Sequence, residues 1–73
     1  MTNGEYLVGI DFNPGKSSQV DKIKRMAADL IDAVDAIAGK NALPDVARLQ
    51  SLAITQIEDG AMWAVKAATK RPR

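Results

Sequence analysis

Apolar residues recur with helical spacing between residues 18 and 38. They step along the chain by three and four positions, which is the heptad pattern of a helix that packs along one face. The members of this seam are Val20, Ile23, Ala27, Leu30, Val34 and Ile37. Ser17 or Ser18 is suited to cap the start of the helix, and Gly39 is suited to end it. The pattern predicts a first helix over 18–38.

A second helical pattern begins at Pro44, whose fixed φ and missing N–H suit the first helical position. The later half of its apolar face carries the small residues Gly60, Ala64 and Ala67, which would let another backbone approach closely. We predict a second helix over 44–69. The short connection between the two helices favours an antiparallel αα-hairpin.

The N-terminal segment has a different pattern. Its apolar residues alternate with others at a period of two, which fits a short extended strand. The alternating residues are Tyr6, Val8, Ile10 and Phe12. Asn13-Pro14-Gly15 follows them as a turn signal. We therefore expect residues 1–17 to form a short extended segment on an otherwise all-α domain that covers 1–73.

The size of the chain changes this picture. Its 73 residues are few for a self-sufficient core, and it contains no cysteine for disulfides. The absence of both cysteine and histidine also argues against a zinc, haem or iron–sulfur cofactor. Both helices carry further apolar residues outside their seams, namely Met26, Ile31, Leu52, Met62, Trp63 and Val65. We predict a homo-oligomeric helical bundle, with a monomer that exposes scattered apolar groups as the alternative.

The composition argues against an enzyme. Histidine and cysteine are the commonest general base and the best nucleophile at neutral pH, and both are missing. Asp29, Asp32 and Asp35 lie on nearly one helix face and could bind a divalent cation, although such a run is more often a solvated surface. No signal peptide and no membrane-spanning run is visible, so a cytoplasmic location without membrane contact is expected.

The net charge of +1 conceals an asymmetry. In an antiparallel hairpin, the start of the first helix lies beside the end of the second. Eight of the ten basic residues gather at this open end against three acids, which gives it about +5 and leaves about −4 on the remainder. The eight basic residues are Lys16, Lys22, Lys24, Arg25, Lys66, Lys70, Arg71 and Arg73.

The three aromatic residues, Tyr6, Phe12 and Trp63, also fall toward the open end. Lysine and arginine bind phosphates, and aromatic faces stack on bases, so the combination favours a nucleotide ligand. Each feature has a plainer interpretation as well. Arg71 and Arg73 can simply complement a helix dipole, Trp63 can pack in an interface, and Phe12 can dock the N-terminal segment.

A motif of spaced residues runs through 48–72. Its members are Arg48, Ala53, Thr55, Ile57, Glu58, Gly60, Met62, Val65, Lys66, Ala67 and Pro72. This motif resembles the second helix of the small phage-encoded anti-CBASS proteins, which sequester cyclic oligonucleotide signals. A related hairpin occurs in Thoeris anti-defence sponges, which bind cyclic ADP-ribose isomers. In addition, Val20-Asp21-Lys22-Ile23-Lys24 is similar to the Ile-Lys element on the first helix of the family.

The resemblance implies a homohexamer that binds cyclic dinucleotides in pockets shared between subunits; some members of the family also hold cyclic trinucleotides at separate three-fold sites. It implies that Lys24 meets a phosphate and that an N-terminal aromatic residue stacks on a base. Longer members have a Gly-Tyr-Arg element where this chain has 10–14, so Phe12 is the nearest equivalent and Tyr6 its substitute. The expected ligand-binding residues are Lys24, Phe12, Tyr6, Asn13, Lys16, Arg48, Thr55, Trp63 and Lys66.

The expected function is that of a phage sponge in the cytoplasm of the host bacterium, without an enzymatic step and without long nucleic acid as a partner. Two alternatives stay open. A small helical adaptor would oligomerise but bind no nucleotide. A nucleic-acid-binding module would use the basic end, and its affinity would fall steeply with salt.

Overall fold

The computed structural model describes residues 1–37 and 43–72. Within these ranges lie three helices, α1 (Asn3–Val8), α2 (Ser18–Asp35) and α3 (Pro44–Thr69), and no strand. The predicted all-helical class is therefore confirmed. No helix in the described ranges has the length and apolar character needed to cross a membrane.

The predicted extended conformation of the N-terminal segment is wrong, because Asn3–Val8 forms α1. Thr2 and Glu5 form a capping box at its start: Thr2 Oγ1 accepts from Glu5 N at 3.1 Å, and Glu5 Oε1 accepts from Thr2 N at 2.8 Å. Gly9 ends the helix in the left-handed region, with φ 64°. These start and stop signals outweigh the alternation of apolar residues between them.

Helix α2 begins with Ser17 as its cap, since Ser17 Oγ accepts from Val20 N at 3.2 Å. It ends at Asp35, before the predicted end at residue 38. The expected stop at Gly39 lies outside the described residues, as does most of the connection to α3.

The buried face of α2 is offset from the predicted heptad seam. Leu30 and Ile37 belong to the seam but are 53% and 69% exposed. Ile31, expected outside the seam, is fully buried. The reason is that α2 contacts α1 as well as α3, so its core face points between two partners. The buried residues of α2 are Val20, Lys24, Ala28 and Ile31.

Helix α3 has Pro44 in its first turn and contacts α2 along its length. Near its start, Gln50 Nε2 donates to Val34 O, close to the end of α2, at 2.8 Å. None of the described residues 44–69 is buried. The large apolar side chains that α3 leaves exposed are Leu49, Leu52, Met62 and Trp63.

Candidate functional site

Carboxylates of α2 hold α1 in place. Asp32 Oδ1 accepts from Gly4 N at 2.7 Å, and Asp35 Oδ2 accepts from Asn3 Nδ2 at 2.7 Å. Backbone N–H groups at a helix start have no partner within the helix, and a carboxylate there also interacts favourably with the helix dipole. Of the three aspartates considered as a cation site, Asp32 and Asp35 thus bind α1, and Asp29 pairs with Arg25 of α2. No group of three potential ligands for a metal ion occurs in the described part of the chain.

Gly4 is the point where α1 approaches α2 most closely, and it is buried. A Cβ at this position would lie 2.8 Å from Asp32 Oδ1 and closer still to the carbonyl oxygen of Ala28. The backbone of α2 cannot withdraw from such a contact without breaking its own helix. The docking of α1 therefore requires glycine here.

An ion-pair cluster at the surface also joins α1 to α2. Arg25 Nη1 lies 2.8 Å from Glu5 Oε2, and Arg25 Nη2 lies 2.8 Å from Asp29 Oδ1. The hydrogen bond from Arg25, together with that from the Thr2 backbone, lowers the pKa of Glu5 to about 2. The same cluster raises the pKa of Arg25, chiefly through Glu5 and then Asp29. Arg25 is therefore paired rather than available to an anionic ligand.

Lys24 of α2 is only 6% exposed. Its Nζ donates to Gly9 O at 2.8 Å and to Phe12 O, and lies 5.4 Å from the centroid of the Phe12 ring. An ammonium group has three N–H donors, so one remains for another partner. Lys24 thus fastens the turn after α1 to α2 and holds Phe12 beside it.

The loop between α1 and α2 is closed by Asn13. Its side-chain Nδ2 donates to Ser17 O and to Asp21 Oδ1, each at 2.8 Å, while its Oδ1 accepts from Ser17 N at 3.1 Å. Lys16 N donates to Asn13 O at 3.0 Å and completes a turn. These bonds give the loop a defined shape beside Phe12.

A cleft of about 410 Å³ opens between this loop, α2 and the end of α3. We call it the aromatic cleft. Its volume falls in the range of small-ligand sites, roughly 300–1,000 Å³. Two cations line it, and no carboxylate does among the described residues. Its lining residues are Phe12, Asn13, Pro14, Gly15, Ser17, Val20, Lys24, Val65, Thr69 and Arg71.

A second cleft, of about 350 Å³, lies between α1 and α3. We call it the acidic cleft, because Glu58 and Asp59 both line it. The charge pattern places these two acids in the negative remainder of the hairpin, but in the structure they line the same cleft as Lys24 of the basic end. The lining residues of the acidic cleft are Leu7, Val8, Lys24, Glu58, Asp59, Ala61, Met62 and Val65.

The structure brings together three of the nine predicted site residues, because Phe12, Asn13 and Lys24 all line the aromatic cleft. The other six line neither of the two clefts. All six are exposed, and Lys66 Nζ lies 5.3 Å from the Trp63 ring centroid. These six are Tyr6, Lys16, Arg48, Thr55, Trp63 and Lys66.

The aromatic cleft also contains residues that were not predicted to bind a ligand, among them Ser17, Thr69 and Arg71. Ser17 was considered only as a helix cap, and Arg71 only as a charge near a helix end and a member of the basic group. Thr69 ends the predicted second helix and lies in the stretch that resembles the sponge family, but it is not among the predicted ligand-binding residues; its Oγ1 donates to Val65 O at 2.8 Å. The available signal for Arg71 was its position, two residues beyond the end of α3.

The fold and the clefts define a small helical hairpin domain with a cleft lined by cations and an aromatic ring. Residues 5–69 match the family model described as Acb2/Tad1, hairpin domain, and the chain belongs to this family. The match confirms the resemblance to the anti-CBASS sponges. No curated protein and no solved structure shows significant similarity to the chain.

Proposed function

We propose that the chain is a phage anti-defence sponge, which binds cyclic nucleotide immune signals and sequesters them without cleavage. Membership of the hairpin-domain family supports the sponge role. The aromatic cleft supports a cyclic nucleotide as the ligand, because it combines an exposed aromatic ring with two cations and has the volume of a small-ligand site. A tight binder present in sufficient amount lowers the free signal by mass action, so the host effector stays unoccupied.

The cleft offers complementary partners to the parts of a cyclic dinucleotide. The Phe12 side chain is 74% exposed and can stack on a base, an interaction that tolerates different bases. Lys24 contributes positive charge from the floor of the cleft, and its third N–H remains for a phosphate oxygen. Two backbone carbonyls already fix the Lys24 ammonium group, so binding a ligand costs no further conformational entropy of this side chain.

We propose further that antiparallel hairpins of this chain assemble into a homohexamer. Helix α3 supports this, since a 26-residue helix without a buried residue leaves its apolar side chains to be covered by other copies. Arg48, Thr55 and Lys66 are exposed on the same helix, where they are accessible to a cyclic trinucleotide shared between copies. Light scattering is expected to give the mass of six chains, and a monomer at micromolar concentration would contradict the assembly.

The alternative of a basic-patch nucleic-acid module receives less support from the charges. A long polyanion needs a continuous basic surface. Here Lys24 is nearly buried, Arg25 is paired with two carboxylates, and Glu58 and Asp59 interrupt the basic end. The proposed site of action is the cytoplasm of the infected bacterium, where the signals are made.

The proposed function is tested by incubating the protein with a panel of cyclic dinucleotides, cyclic trinucleotides and cyclic ADP-ribose isomers. The mixture is filtered, the retained protein is denatured by heat, and the released nucleotide is chromatographed. A sponge retains at least one member of the panel and returns it intact. Return of an altered nucleotide would indicate an enzyme, and retention of none would favour the adaptor. Steeply salt-dependent binding of long DNA or RNA alone would favour the nucleic-acid module.

The role of Phe12 is tested by Phe12→Ala. Affinity for a retained cyclic dinucleotide is expected to fall by about 1–3 kcal/mol, the range for loss of base stacking. Tyr6→Ala is the matched control, because Tyr6 is almost as exposed but lies outside both clefts. Calorimetry measures both affinities. An effect confined to Tyr6→Ala would assign stacking to Tyr6, and a change only in the melting temperature of Phe12→Ala would make Phe12 a docking residue.

A further inference from the structure

The chain beyond α3 turns Arg71 toward the aromatic cleft. Helix α3 ends at Thr69, and its C-cap Lys70 is extended, with φ −65° and ψ 130°. Successive side chains of an extended segment point to opposite sides. Arg71 accordingly lines the aromatic cleft, whereas Lys70 lines neither cleft. Pro72 follows directly and restricts the backbone of Arg71 to extended conformations.

The two cations of the aromatic cleft differ in what already binds them. The Lys24 ammonium is held by Gly9 O and Phe12 O and is nearly buried. Arg71 is exposed, and the ion pairs found among the described residues all involve Arg25. A guanidinium group presents five N–H donors in a planar fork that matches two phosphate oxygens.

From this difference we infer that Arg71 contacts a phosphate of the bound cyclic nucleotide directly in the aromatic cleft. The inference rests on the proposed function and assigns a residue to its binding site. Lys24 and Arg71 then differ in role: Lys24 holds the turn that carries Phe12 and has one N–H left for a phosphate oxygen, whereas all the donors of Arg71 are open to the ligand.

A cation after a helix can also act by complementing the helix dipole. Lys70 is closer to the end of α3 than Arg71 and carries the same charge, so it shares any such effect in at least equal measure. Lys70→Gln therefore serves as the matched control for Arg71→Gln. The two substitutions change the net charge equally, but only Arg71→Gln removes a side chain that lines the aromatic cleft.

The test measures the affinity of the full chain and of both variants for a cyclic dinucleotide that the wild type retains. Arg71→Gln is expected to weaken binding roughly 10- to 100-fold, as for loss of a charge-assisted hydrogen bond. Lys70→Gln is expected to change it by less than about threefold, as for an exposed charge. Melting temperatures of the three proteins are expected to agree, because both side chains are exposed.

Equal losses in the two variants, or no loss in Arg71→Gln, would overturn the role of Arg71 while leaving the sponge intact. A wild type that binds no cyclic nucleotide would instead overturn the proposed function, and the role of Arg71 with it. The first result concerns the difference between variants and the second concerns the wild type alone, so the two failures are distinguishable.

Discussion

The two clefts share Lys24 and Val65, yet they present opposite charge to a ligand. The aromatic cleft adds Arg71 and the Phe12 ring, whereas the acidic cleft adds Glu58 and Asp59. They differ little in volume, about 410 and 350 Å³. The comparison shows that the net charge of one end of a domain does not describe its binding sites. A ligand interacts with the residues that line one cleft. The two carboxylates of the acidic cleft repel an anion there, whereas the aromatic cleft attracts it.

Both clefts depend on the docking of α1. Leu7 and Val8 of α1 form one wall of the acidic cleft. The turn that follows α1 carries Phe12 to the aromatic cleft and is fastened there by Lys24. Changes at the contact between α1 and α2 therefore affect the two clefts together, whereas changes to their individual linings separate them.

The largest effect is expected from Gly4→Ala. The added methyl group collides with the Ala28 carbonyl, a backbone atom that cannot move aside, and destabilises the fold by about 3 kcal/mol, at the upper end of the range for overpacking. Urea unfolding measures the loss, and amide chemical shifts report whether α1 leaves α2.

Gly15→Ala is the control for this substitution. A Cβ at Gly15 meets no atom within 4 Å, so this variant is expected to match or slightly exceed the stability of the wild type. If Gly4→Ala were equally stable, α1 would not be docked as described.

A smaller loss is expected from Lys24→Met, which keeps an unbranched side chain one atom shorter and removes the donors to Gly9 O and Phe12 O. Two backbone acceptors then lose a partner, which costs about 2 kcal/mol of unfolding free energy. Affinity for a cyclic dinucleotide is expected to fall as well, because Phe12 is no longer held. Lys22→Met, an exposed position on the same helix, is the control for both measurements. Equal stability of the two variants would contradict a structural role for Lys24.

The ion pair of Glu5 predicts a weaker and pH-dependent effect. The hydrogen bond from Arg25, followed by that from the Thr2 backbone, lowers the pKa of Glu5 from 4.5 to about 2, so the folded state favours the carboxylate. Its contribution to stability is fully present above pH 4.5 and is lost as the pH falls through about 2. The difference in urea midpoint between wild type and Glu5→Gln is expected to be constant above pH 4.5 and to shrink below it. A difference that grew on acidification would contradict the ion pair.

The smallest effect on ligand affinity is expected from the double variant Glu58→Gln and Asp59→Asn. Both carboxylates line the acidic cleft only, so they act on an anionic ligand in the aromatic cleft through screened, longer-range repulsion, which the double variant removes. We expect affinity for a cyclic dinucleotide to rise by less than about threefold. A change of tenfold or more in calorimetry would assign the ligand to the acidic cleft.

The sequence predicts the all-helical class because its two long helical patterns have clear periodicity and, for α2, a serine cap. The failure at the N-terminus is instructive in physical terms. Thr2, Glu5 and Gly9 carry start and stop signals for a six-residue helix, but apolar alternation over the same residues suggests a strand. Capping bonds satisfy the backbone of such a short helix directly, so they are the stronger signal.

The buried face of α2 could not be predicted from its own pattern. The face of α2 that is buried depends on its contact with α1, and α1 was predicted as an extended segment rather than a helix. For the same reason the burial of Lys24 was missed, since its partners are carbonyl groups of the turn after α1. Backbone acceptors leave no trace in side-chain patterns. The resemblance to the sponge family implies that Lys24 meets a phosphate, but it does not indicate which groups hold the Lys24 side chain.

Binding of a cyclic nucleotide in the aromatic cleft can be observed by amide chemical-shift perturbation of the labelled full chain with a retained cyclic dinucleotide. We expect the largest shifts at residues 12–17 and 69–71, with small shifts at 58–62. Largest shifts at 7–8 and 58–62, around Glu58 and Asp59, would contradict it.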